Sequence, residues 1–447
     1  MAKSIIKKEA FNLKEYQSRQ RNFIQLIGEG NIAVVSSASI AKRNRDVEYP
    51  FRQDSDFFYL TGFDEPDTIA VFVPSREQGE YILFCRESDE KMALWTGANA
   101  GLDDAQKVYG AYDAFPIDDL RDILPGLMEN KNRLYFPMGV NPDFDRQLMD
   151  WSQEVRDRSR AGVSAPAEFI STDHLLHEMR LIKSADEIKR MKKAAKISVE
   201  AHIRAMKNCK AGLYEYQVEA EIRHEFMSKG ALFEAYPAIV GGGKNGCVLH
   251  YTQNDAKLND GDLLLIDAGC EWQKYASDIT RTFPVNGVFN EEQKALYQLV
   301  LDAQRAAIEV VKPGNHWNQP HDAAVAVLTE GLLTLGLLKG KLEKLIKEQA
   351  YKPYYMHRTG HWLGMDVHDV GDYKVDNEWR LLEPGMVLTV EPGLYIQPTA
   401  TEVAEKWRGI GIRIEDDVLV TKKGHEVLTQ ALPKEVNEIE QLMAQHG

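Results

Sequence analysis

The run Leu263-Leu264-Leu265-Ile266-Asp267-Ala268-Gly269 closes an apolar stretch on a carboxylate, and its reading decides how the C-terminal half is built. A strand so uniformly apolar is buried on both faces, which carries Asp267 into the interior. An unpaired carboxylate there costs several kcal/mol. Eleven positions on stands Asp278, in Ser277-Asp278-Ile279-Thr280-Arg281-Thr282, where alternation predicts Asp278, Thr280 and Thr282 on one face. With Gly269 and a polar stretch between them, the two runs predict a hairpin. Antiparallel neighbours bring side chains on one face to within roughly 5 Å, close enough for two carboxylates to share a cation. A surface hairpin with solvated acids is the alternative for this pair taken alone.

The same anomaly recurs twice. Met386-Val387-Leu388-Thr389-Val390-Glu391 ends an apolar strand on an acid, and Pro392-Gly393 terminates it at once. In Ile410-Gly411-Ile412-Arg413-Ile414-Glu415-Asp416-Asp417-Val418-Leu419-Val420, alternation sets Arg413 and Glu415 on one face. A buried Arg413–Glu415 pair would explain that run by itself. Four acids on apolar strands, however, call for about four positive charges, and one arginine supplies one.

Histidine adds the remaining ligand type. His357, His361 and His368 place three of the chain's 12 histidines within a dozen positions. The His-x3-His spacing would suit one helix face, but Gly360 and Gly364 fall within this segment and Arg358, not Glu, follows the first histidine, so a helical zinc motif is rejected. The glycines predict instead a loop and strand passing close to another backbone. Asp267, Asp278, Glu391 and Glu415 together carry four negative charges, which two divalent cations neutralise. Oxygen-dominated ligation with one imidazole favours Mn²⁺; Co²⁺, Fe²⁺ or Zn²⁺ also suit, and thiolate-seeking metals do not. Paired divalent ions of this kind serve hydrolysis.

The rest of the chain frames this site. Its 447 residues favour two domains, and 44% apolar content supplies ample core. A net charge of −14 leaves no basic footprint for nucleic acid. No apolar run is long enough to cross a bilayer, and the start, MAKSIIKKEAFNLKEY, lacks a secretory apolar core, so a cytoplasmic protein is expected. Cys85, Cys209, Cys247 and Cys270 show no paired spacing for a disulfide framework or a thiolate zinc site.

Residues 13–27 predict an amphipathic helix ended by Gly28, followed by β-like runs at 32–36, 57–60, 69–73 and 81–84. Ser184-Ala185-Asp186-Glu187 reads as a capping box opening a helix to Met206. Helices are also expected over 216–229, 291–311 and 321–335. The texture changes near residue 175, which is taken as the domain boundary.

The order Asp267, Asp278, His361, Glu391, Glu415 resembles, in type and sequence, the five ligands of the metal-dependent pita-bread peptidases, the group of methionine aminopeptidase, prolidase and aminopeptidase P. Longer motifs resemble the bacterial aminopeptidase P branch: the stretch from Arg43 to Phe63, Asn245-Gly246-Cys247-Val248-Leu249-His250-Tyr251, the segment from His361 to Gly371, and the segment from Trp407 to Asp417. The likeness runs through nearly the whole chain. The fold it implies is α/β: a mixed α/β aminopeptidase P/creatinase-type domain over 1–175, then a catalytic pita-bread domain over 176–447, an α+β fold with a pseudo-symmetric curved antiparallel sheet.

The activity implied is removal of the N-terminal residue from peptides with proline second, by a metal-bridging hydroxide. Asp267 is implied as ligand to one metal, Asp278 and Glu415 to both, and His361 with Glu391 to the other. Glu391 is implied as proton shuttle, His250 and His368 as substrate and oxyanion contacts, and His357 as a further active-site histidine. Asp46, Trp95, Tyr395 and Arg413 match pocket residues, with Trp95 offered by a neighbouring subunit, which implies a homodimer or homotetramer. Arg358 departs from the glycine common at its position in the group. Two other readings remain: prolidase, which shares fold and ligands but cuts only dipeptides, and a non-catalytic binding protein on the same fold.

Overall fold

The computed structural model describes residues 12–445, so the N-terminal segment read for secretory character lies largely outside the described residues, at 1–11. The chain divides into two compact units, Met1–Met179 and Arg180–Gly447.

In the first unit a six-stranded mixed sheet runs in the order Asp113–Pro116, Tyr81–Cys85, Ile69–Phe72, Ile32–Ser36, Arg133–Phe136, Glu168–Ser171. The three strands Ile32–Ser36, Ile69–Phe72 and Tyr81–Cys85 are buried along their whole length, as their continuous apolar runs require. The helix Leu13–Ile27 forms where its apolar stripe predicts, and Gly28 caps it at φ 74°. Residues 57–60 are a correction: they lie in the helix Ser55–Thr61, not in a strand. Aromatic content argues for β structure, but the Asp54 carboxylate accepts the Phe57 N–H at 2.8 Å and Gly62 takes the left-handed cap at φ 65°, so local capping outweighs side-chain propensity.

The second unit packs long helices against short antiparallel strands. The capping box is made: Ser184 and Glu187 exchange side-chain bonds to each other's backbone N–H, opening the helix Ala185–Asn208. Helices Glu215–Ser228, Glu291–Glu309 and Gln319–Thr334 form as expected to within a few residues. Leu263–Asp267 pairs antiparallel with Thr280–Pro284, but Asp267 stands opposite Thr280, and Asp278 lies just before the partner strand. The run 410–420 is not one strand. Ile410–Arg413 pairs with Gly393–Ile396, Asp416–Thr421 pairs with Val387–Val390 and Gly424–Val427, and Glu415 sits at the break. All four acids therefore occupy points where the chain leaves one sheet for another. Such points aim a side chain into the space between sheets instead of along a regular face.

Candidate metal centre

The four sheet-leaving acids converge. Asp267, Asp278, Glu391, Glu415 and His361 all line one cavity of about 1040 Å³, together with Tyr236, His250, His357, His368 and Arg413. Donor atoms of Asp278, His361 and Glu415 lie within 4.8 Å of one another. Tyr236 donates its hydroxyl to Asp267 Oδ1 at 2.7 Å and to Asp278 Oδ1, tying the first two acids together.

Glycine makes this approach feasible. A Cβ on Gly360 would come within 2.0 Å of the Thr389 carbonyl oxygen, so the His361 segment and the strand leading to Glu391 touch backbone to backbone, as the glycines predict. The Glu391 N–H then donates to Thr359 O at 2.8 Å and the Thr389 N–H to His361 O at 3.0 Å. Pro392 ends the strand, so Glu391 is left at its tip.

His361 is set up as a ligand by its other nitrogen. Nδ1 lies 2.9 Å from the Trp362 carbonyl and must donate to it. Nε2 then presents a lone pair toward Asp278 Oδ2 at 3.4 Å and Glu391 Oε1 at 3.6 Å, too far for good hydrogen bonds. A lone pair and two anions facing one gap are what a cation would join, and the backbone carbonyl that fixes the tautomer is the usual outer partner of a metal-bound histidine.

Charge tells the same story. Burial pushes Asp267 up, with Arg413 opposing and Asp278 adding to the shift. Burial and the neighbouring acids push Glu415 well above its usual range, and burial pushes Glu391 up to about 7. Asp278 is lowered: burial opposes ionisation, but the neighbouring His361 and the Tyr236 hydroxyl outweigh it. His361 rises to about 9 because Asp278 and Glu391 overcome its burial. Without added positive charge this cluster must borrow protons. The all-oxygen and imidazole donor set fits hard or borderline divalent ions.

The Arg413–Glu415 pair does not form. Arg413 turns instead to Asp267 Oδ2 at 2.6 Å, to the Tyr395 hydroxyl at 2.9 Å and to Thr280 Oγ1 at 3.1 Å. Glu415 accepts from Thr280 Oγ1 at 2.7 Å. One arginine thus serves Asp267, and the remaining acids have no such partner in the cluster. His357 joins the same chain: its Nδ1 donates to Arg358 O at 2.7 Å and its Nε2 accepts from the Tyr395 hydroxyl at 2.9 Å. Burial and the Arg413 charge keep it neutral, down to about 3.

His250 is exposed on a loop at the cavity and His368 packs its ring 4.3 Å from that of His361. Asp46 and Trp95 belong to the first unit. Asp46 is exposed in a hairpin turn, and Trp95 is 85% exposed on the helix Glu90–Thr96. Neither lines this cavity.

Three contributors escape a reading of the sequence. Tyr236 follows no periodic run. Thr389, which bonds Glu391 Oε1 at 3.2 Å, reads as strand filling. Asp417, buried and pushed well above its usual range by burial and by Asp278, accepts the Asp278 N–H at 3.3 Å. Its place two positions after Glu415 is the available signal.

The fold and the site together define a metallohydrolase class, and comparison with known proteins narrows it. Residues 189–422 match the family "Metallopeptidase family M24" and residues 16–135 match "Aminopeptidase P, N-terminal domain". The chain belongs to metallopeptidase family M24. It is 43% identical over 431 residues to a Xaa-Pro aminopeptidase of Escherichia coli K12, spanning 96% of this chain and 97% of that one. It superposes on the Pseudomonas aeruginosa aminopeptidase PepP with a TM-score of 0.97 at 56% identity, covering 98% and 99% of the two chains. It also superposes on a zinc-substituted Escherichia coli aminopeptidase P in complex with product, with a TM-score of 0.95 at 42% identity over 98% and 99%.

Proposed function

We propose that this chain is a Xaa-Pro aminopeptidase: a hydrolase that removes the first residue of a peptide whose second residue is proline. The observation that carries the reading is the convergence of four acids, Asp278 and Glu415 buried and Asp267 and Glu391 half-buried, and one tautomer-fixed histidine on a cavity whose own cations fall short of balancing them. The division of labour follows the family pattern, with 1–175 as the N-terminal domain and 176–447 as the catalytic domain. Asp267, Asp278, His361, Glu391 and Glu415 would hold two divalent ions. Mn²⁺ is the favoured pair, with Co²⁺, Fe²⁺ or Zn²⁺ as alternatives. When bound, two divalent ions supply an activated water and polarise the scissile carbonyl.

The protein's own groups do the rest. Glu391, at a strand tip with one oxygen on Thr389, takes the proton of the water and passes it to the leaving prolyl nitrogen, which carries no hydrogen of its own before cleavage. His368 and His250 line the cavity and serve the carbonyl oxygen and the substrate chain. His357 acts through Tyr395, whose hydroxyl links it to Arg413 and so to Asp267. Asp46 is carried as a pocket residue, and Trp95 as one offered by a neighbouring copy in a homodimer or homotetramer. No helix among the described residues is long and apolar enough to cross a membrane; the proposed setting is cytoplasmic.

The prolidase alternative is not favoured by full-length similarity to proteins named Xaa-Pro aminopeptidase. Hydrolysis of Xaa-Pro peptides two to six residues long, with and without Mn²⁺, tests the reading. Cleavage of tripeptides and longer substrates is expected; cleavage of dipeptides alone would favour prolidase.

A further inference from the structure

Outside the acid cluster the cavity lining carries two permanent cations, Arg358 and Lys374, against one further carboxylate, Asp372. Both cations rest on the Trp379 ring. The Arg358 guanidinium carbon lies 5.2 Å from the ring centroid and the Lys374 ammonium 4.5 Å from it. Two like charges beside one ring attract it but repel each other, and neither forms an ion pair with a carboxylate among the described residues.

The backbone holds this arrangement before any ligand arrives. Lys374–Val375 pairs with Glu378–Trp379, with Lys374 directly opposite Trp379, so the two side chains share a face. The two-residue turn between them, Asp376-Asn377, takes φ values of 51° and 66°, the left-handed pair that matches the twist of a tight hairpin. A hairpin this short is marginal alone. It is anchored by Tyr373, which stacks on Trp362 at 5.6 Å and packs on Trp317 at 4.6 Å. Arg358 is fixed from the other side. It follows His357, it precedes the Thr359 carbonyl that holds Glu391, and it donates to Asn318 Oδ1, which uses one of its five N–H donors. Both residues are exposed.

We propose that Arg358 and Lys374 form a carboxylate clamp that reads the leaving part of the substrate. The inference rests on the aminopeptidase reading above. An enzyme that removes one residue keeps the substrate's N-terminus at the acid cluster, so exposed groups of the lining meet the residues on the far side of the cleaved bond. The clamp selects a carboxylate there, either the C-terminus of a short peptide or an acidic side chain beyond proline. A planar guanidinium and a point-charge ammonium on one rigid ring suit a planar anion.

The test compares kcat/KM of the Mn²⁺-loaded enzyme on matched pairs: an Xaa-Pro-Xaa tripeptide as free acid and as amide, and an amidated tetrapeptide with Glu or Gln at its third position. The account predicts an advantage for the anionic member of about threefold to tenfold at low salt, carried in KM and shrinking as ionic strength rises. In the Arg358→Gln, Lys374→Gln double variant the ratio should fall to about one. Preference in the tripeptide pair alone assigns the terminal carboxylate; preference in the tetrapeptide pair assigns the side chain. Equal rates within both pairs for the unaltered enzyme would overturn the clamp, as would an equal loss on charged and neutral members in the variant. Failure to cleave any of the four peptides would instead bring down the aminopeptidase reading.

Discussion

Glu415 and Asp416 are neighbours in sequence and equally buried, yet the fold treats them in opposite ways. Asp416 receives Lys434 Nζ at 2.6 Å, Gln304 Nε2 and Thr429 Oγ1 at 2.7 Å and Arg281 Nη2 at 2.8 Å. Its carboxyl is held well below the usual range, because the charges of Arg281 and Lys434 overcome its burial. Glu415 receives one threonine hydroxyl and is pushed far upward. Asp369 shares the Asp416 pattern, with Lys183 at 2.9 Å and Arg180 at 2.6 Å. Where a buried anion is structural, this chain brings cations of its own; around Asp267, Asp278, Glu391 and Glu415 it brings one arginine. The shortfall marks the place where charge from outside is needed.

The largest expected effect is on the deficient side. Glu391→Gln keeps the shape of the side chain but loses the proton shuttle, and turnover should drop about 10²- to 10⁴-fold with circular dichroism unchanged. Undiminished turnover would remove Glu391 from its role. On the balanced side, Asp369→Asn leaves the buried Lys183 without its anion while Arg180 keeps Asp366, and denaturant unfolding should show a loss of about 3–5 kcal/mol.

The same residue gives a pH prediction. Lys183 and Arg180 hold the Asp369 carboxyl below its ordinary value despite burial. Its stabilising contribution is therefore complete above about pH 3.9, the ordinary aspartate value, and is lost as pH falls through the lower folded value. Asp369→Asn should flatten the acid limb of the stability curve over that window; an unaltered limb would mean that the pair does not act as drawn. The smallest effect comes from a neutral control at a helix N-cap. Ser184→Ala removes one half of the capping box and should cost about 1 kcal/mol in thermal or denaturant unfolding.

The physics of each signal decides how much of this is legible in the sequence. The four acids stand out because apolar neighbours on both sides make their burial predictable from the chain alone. The glycines around His361 announce a backbone contact for the same local reason. Sequence does not place anything decided by a partner distant in the chain. Arg413 lies two positions from Glu415, yet its guanidinium pairs with Asp267, because the chain changes sheets between positions 413 and 416 and alternation ceases to apply. Tyr236 lies 31 positions from one of its acids and 42 from the other, with no periodicity to reveal it. The helix Ser55–Thr61 reads as a strand because four aromatic or aliphatic residues outweigh, in a propensity argument, the caps that decide the matter.

The central claim is that the acid cluster is completed by cations that the chain does not supply. Titrating metal-stripped, folded protein with Mn²⁺ in a calorimeter tests it most directly. The account predicts specific saturable uptake of two ions per chain, lost when Asp278 is replaced by Asn and kept in the Ser184→Ala control; a folded protein that takes up no Mn²⁺ beyond weak surface binding would contradict it.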